Sequence, residues 1–130
     1  MSMTPEFAHQ LLDLLLKDYE NEKKITRKVL AALPDSGADY KPDAKSRTAA
    51  ELAYHIASSE VWFLESIANG SFDPGTASAE TPEELRTPSA IPAWYEKETN
   101  AKLELVKKLT GEQAVKVLDF FVIYNLPAVM

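Results

Sequence analysis

The chain has 130 residues, 20 acidic against 14 basic, for a net charge of −6 with no basic cluster. That balance excludes binding along a nucleic-acid backbone. A composition of 45% hydrophobic and 26% charged residues fits a single soluble domain over 1–130, and the lack of cysteine removes disulfides, thiolate ligands and thiol nucleophiles together. The opening M-S-M-T-P-E-F-A-H has no basic-then-apolar pattern of a signal peptide, so a cytoplasmic location is expected.

A first helix is predicted over about 4–33, with Thr4 as cap and Pro5 in the first helical position, where its missing N–H costs nothing. Phe7, Leu11, Leu14, Leu15, Ile25, Val29 and Leu33 keep a helical period, and Leu12, Leu16 and Leu30 widen the stripe. Its middle, D-Y-E-N-E-K-K, reads as solvated on most sides. His9 stands one turn before Asp13, the spacing of a surface pair. Pro34 ends the helix, and residues 34–47 are turn chemistry throughout.

The second helix, about 48–69, opens on a capping box formed by Thr48 and Glu51 and closes at Asn69–Gly70. Leu52, His55, Ile56, Ser59, Trp62, Phe63 and Ser66 recur at spacings of three and four, and predict the stripe that faces the core. An imidazole in such a stripe either finds ordinary hydrogen-bond partners for its ring nitrogens or ligates a metal ion. The nearest carboxylates, Glu51 and Glu60, do not both share its face.

The next segment is rich in Pro, Ser, Thr and Gly and reads as a long connection. It holds one helical turn at 81–86, which a Thr81–Glu84 capping pattern would open. A third helix follows over about 90–109. Its stripe is Ile91, Trp94, Glu98, Ala101, Leu105 and Leu109, flanked by Leu103 and Val106. Thr110 opens another capping pattern, T-G-E-Q, with a helical turn near 111–115. Residues 115–130 are very apolar but too short and too interrupted to span a membrane. Pro127 marks the start of a last helix near 126. Something must cover the segment over 117–130, and a homodimer is the expected cover.

No glycine-rich phosphate loop and no nucleophile elbow is present. The order of elements nonetheless resembles the DinB/YfiT-like family. The resemblance rests on the long first helix, on T-A-A-E-L-A-Y-H-I-A in the second, and on the Pro/Ser/Thr connection leading to W-Y-E-K-E-T-N-A-K-L. It also rests on L-T-G-E-Q running through an apolar stretch to N-L-P-A-V-M. The fold this implies is all-α, an up-down four-helix bundle with a long crossover after helix two, of which only the start of the fourth helix is present.

In that family the second-helix histidine is one of three ligands to a divalent metal. The other two come from an H-x-x-x-H on the last helix, commonly followed by R-G-Q-L. His55 matches the first ligand position, and the other two have no counterpart among these residues. The resemblance therefore implies a thiol S-transferase or isomerase dependent on nickel, zinc or a similar ion that binds and deprotonates a small thiol. Its small-molecule partners would be a thiol or an electrophile, and its metal site is incomplete here. The alternative is a non-catalytic helical interaction module with no metal, in which His55 has ordinary hydrogen-bond partners. Neither reading involves nucleic acid or a membrane.

Overall fold

The structure is a computed structural model that describes residues 4–77 and 80–117. Three long helices carry the fold: α1 Pro5–Ala31, α2 Ala49–Asn69 and α3 Ile91–Lys107. A fourth helical stretch, α4, covers 111–117. Short 3-10 turns at Asp35–Gly37, Pro74–Thr76, Glu83–Leu85 and Pro88–Ala90 punctuate the connections.

The helix starts are built from side-chain caps. Thr4 Oγ1 accepts from the Phe7 N–H at 3.1 Å. At α2 the Glu51 N–H donates to Thr48 Oγ1 at 3.1 Å, while the Thr48 N–H donates to Glu51 Oε1 at 2.8 Å. The loop before α2 folds back to serve the next donors: the Ala49 N–H reaches Tyr40 O at 2.9 Å and the Ala50 N–H reaches Ala38 O at 3.0 Å. Residues 48–51, whose N–H groups have no partner within the helix, thus each have an acceptor. Gly70, at φ 75°, ends the helix in the left-handed region that glycine enters without strain. The Thr81–Glu84 box does not form. Pro82 takes the cap position of the turn, which leaves Glu84 one place short of the third residue.

Two apolar clusters give the helix directions. Ala8, Leu12 and Leu16 of α1 pack with Leu64, Leu103 and Val106. Leu30, near the other end of α1, packs with Ala53, Ala57, Ile91 and Tyr95. So α1 runs antiparallel to both α2 and α3, and those two run parallel to each other. Only a connection that traverses the length of the bundle can join parallel neighbours, which is what the segment between α2 and α3 does. Among the described residues, α3 packs against both α1 and α2, while α1 and α2 scarcely touch. The bundle is all-α, as expected.

Which helix faces turn inward differs from expectation. On α2 the buried row is Ala50, Ala53, Tyr54, Ala57, Val61 and Leu64, whereas Leu52, Ile56 and Phe63 are 48%, 38% and 46% exposed. The physical reason is size, since alanines at 50, 53 and 57 let the α3 backbone approach closely. On α1 the core takes Ala8, Leu12, Leu16 and Leu30 and leaves Phe7, Leu14, Ile25 and Val29 outside. On α3 it takes Ile91, Tyr95, Thr99, Leu103 and Val106 and leaves Leu105 outside. The polar middle of α1 is not fully solvated either, because Lys23 is only 8% exposed.

Gly111 begins α4 hard against the first turn of α1. A Cβ there would stand 2.5 Å from the Pro5 carbonyl oxygen. The expected helix start near 126 and the cover of the segment beyond 117 fall outside the described residues. Among the described residues no helix is long and apolar enough to cross a membrane.

Candidate functional site

The capping box of α2 fixes where His55 stands, two turns into the helix and on its outer side. The ring is exposed rather than core-facing, and it makes no hydrogen bond with the described residues. It helps line a cleft of about 700 Å³, shared with Glu51 on its own helix, with Arg47 and Asp39 from the preceding loop, and with Glu80 and Arg86 from the crossover. The loop before α2 and the crossover after it thus meet at one end of the bundle, around the start of the helix. The Glu51 carboxyl is held below its usual range by the Thr48 N–H that donates to it, and then by the Thr48 hydroxyl.

The other residues weighed as ligands stand apart. His9 Nδ1 lies 3.5 Å from Asp13 Oδ2 on the surface of α1, at the opposite end of the bundle from His55. Glu60 turns inward, where its Oε1 accepts from Tyr95 Oη at 3.0 Å. Among the described residues no group of three or more His, Cys, Asp or Glu side chains could hold a metal ion. They offer one imidazole where a catalytic metal needs three protein ligands, so by themselves they do not fit the ion.

A second constellation was not anticipated. Between the two apolar clusters runs a polar layer formed by Tyr19 and Lys23 of α1, Glu60 of α2, and Tyr95, Thr99 and Asn100 of α3. Lys23 Nζ donates to Asn100 Oδ1, and Thr99 Oγ1 donates to Tyr95 O at 2.7 Å. Burial first, and then the neighbouring Glu60 charge, push the Tyr95 phenol up to about 12. Tyr19 is raised further, again chiefly by burial. Its hydroxyl is sealed from solvent and faces Tyr95 and Glu60. Burial lowers the Lys23 ammonium. The spacing of Tyr19 and Lys23, one helical turn apart, was the available signal for this layer.

Searches among curated proteins and among solved structures returned no match. The family comparison did. The model of the DinB family matches residues 3–119, nearly the whole length that carries these helices, and the chain belongs to that family.

Proposed function

We propose that the cleft beside His55 is the reaction site of a divalent-metal-dependent enzyme of the thiol S-transferase or isomerase type, with His55 as one ligand to nickel, zinc or a similar ion. One observation carries this reading. The imidazole stands exposed at a cleft of about 700 Å³ and has no hydrogen-bond partner among the described residues.

The remaining donors must come from elsewhere. These 130 residues hold two histidines and no cysteine, so the further ligands come from residues beyond Met130 or from a partner. Pairing of two copies is one source of such groups, and the apolar residues that α1 exposes favour it. When bound, the ion would supply Lewis acidity to a thiol. The chain's own contribution is positional: Arg47 and Arg86 place positive charge in the cleft, and the cap bonds keep Glu51 ionised.

Calorimetric titration of the purified chain with nickel and with zinc, run alongside sedimentation equilibrium, tests this. The expected result is one ion per copy or per pair of copies, with binding abolished in His55→Ala. That residue is exposed, so the variant keeps the fold. Binding unchanged in His55→Ala, or no binding at all, sinks the metal reading and leaves the module.

A further inference from the structure

Among the described residues α1 and α2 both pack near α3 but scarcely touch each other, and the space between them is an apolar groove. Leu12, Leu15 and Leu16 of α1 form one wall, and Phe63 and Ile67 of α2 form the other. Two of these side chains keep much of their surface uncovered, Leu15 at 45% and Phe63 at 46%. α4 leads the chain to this place. Gly111 stands against Pro5 at the start of α1, and Val117, only 4% exposed, already lines the groove. The thirteen residues that follow, L-D-F-F-V-I-Y-N-L-P-A-V-M, carry one charge, on Asp119, and ten of them are hydrophobic.

We propose that this segment, 118–130, seats its apolar side chains in the groove, which is thus a docking surface for the chain itself. An apolar lining meets an apolar run, and their contact removes both from water. Length suffices. The α2 wall from Glu60 to Ile67 spans about 10 Å, whereas thirteen residues reach about 20 Å even when helical. Attachment decides between occupants. A segment tethered at Val117 meets the groove at an effective concentration on the order of millimolar, which a second copy at micromolar concentration does not match. The carboxylate of Glu60 in the lining repels Asp119, and so turns that residue toward solvent. The inference does not depend on a metal at His55, which belongs to the separate cleft.

Thiol labelling tests this cleanly, because the chain has no cysteine of its own. Phe63→Cys puts a thiol in the groove, and Leu105→Cys puts one outside it on α3, at a position with the same 46% exposure. A maleimide is expected to label Phe63→Cys about tenfold or more slowly than Leu105→Cys, at a rate that holds over about a hundredfold range of protein concentration. Adding Phe121→Asp and Val122→Asp should restore fast labelling, since buried charges would expel the segment. Equal labelling of the two thiols overturns the proposal. Protection that grows with protein concentration overturns it in favour of a second copy, and protection that survives both aspartates overturns it in favour of some other cover. Leu15→Cys, on the opposite wall, gives the same comparison if Phe63→Cys fails to fold. The rates measured with the segment unsubstituted stand even if the aspartate variant does not fold.

Discussion

Tyr95 is fully buried and still polar, and that combination makes its hydroxyl informative about pH. A tyrosine free in the unfolded chain titrates near pH 10, whereas Tyr95 is held up at about 12. Between these values the folded state binds more protons than the unfolded one, so stability falls as pH rises. The loss from this residue is roughly 1.4 kcal/mol per pH unit across that window. Tyr19 acts in the same direction from a higher position. Lys23 acts oppositely, because its lowered value makes the unfolded chain the better proton binder until lysine itself deprotonates near pH 10.4. Urea unfolding through the alkaline range should therefore show a decline setting in above about pH 10. Tyr95→Phe should make that decline shallower while costing about 1 kcal/mol near neutrality, through the lost bond to Glu60. An alkaline limb as steep in Tyr95→Phe as in the parent would remove Tyr95 from the explanation.

The helices meet at α4 as well as at α3, and Gly111 sets how closely. An alanine Cβ would lie 2.5 Å from Pro5 O, and backbone cannot swing aside as a side-chain tip can. Gly111→Ala should cost about 1–3 kcal/mol in denaturant unfolding, the usual penalty of forced overpacking. A neutral result would mean that α4 shifts freely on the first turn of α1.

The same scale shows what could be read in the sequence. The Thr48–Glu51 and Thr110–Gln113 caps were legible because each closes within three residues; the second pairs at 2.8 and 3.2 Å. Family membership was legible because it rests on the order of whole elements. The inward faces were not. α2 carries two rows of regular helical spacing, and the row of larger apolar residues lost to the alanine row. Nor was the polar layer, because Glu60, Tyr95 and Asn100 become neighbours of Tyr19 and Lys23 only once the bundle has formed. The imidazole of His55 was found by pattern, and its exposure could not be, since that depends on which row wins.

At the scale of the molecule, the polar layer raises the question of whether one core exists or two. Leu12 belongs to one cluster and Leu30 to the other. Each of α1, α2 and α3 passes through both clusters, so neither end can open without disrupting helices that the other end needs. Cooperative unfolding should follow in spite of the layer. Trp94 makes this testable: it packs against the Leu30 cluster, with its ring centroid 5.5 Å from that of Tyr54. In a Trp62→Phe background Trp94 is the only tryptophan, since the chain has two. Its fluorescence should then melt together with far-ultraviolet helicity. Leu12→Ala, made in the distant cluster, should cost about 2–5 kcal/mol and move the Trp94 midpoint as far as the helicity midpoint. A Trp94 transition that stays in place while helicity shifts would mean that the layer insulates two separately stable ends.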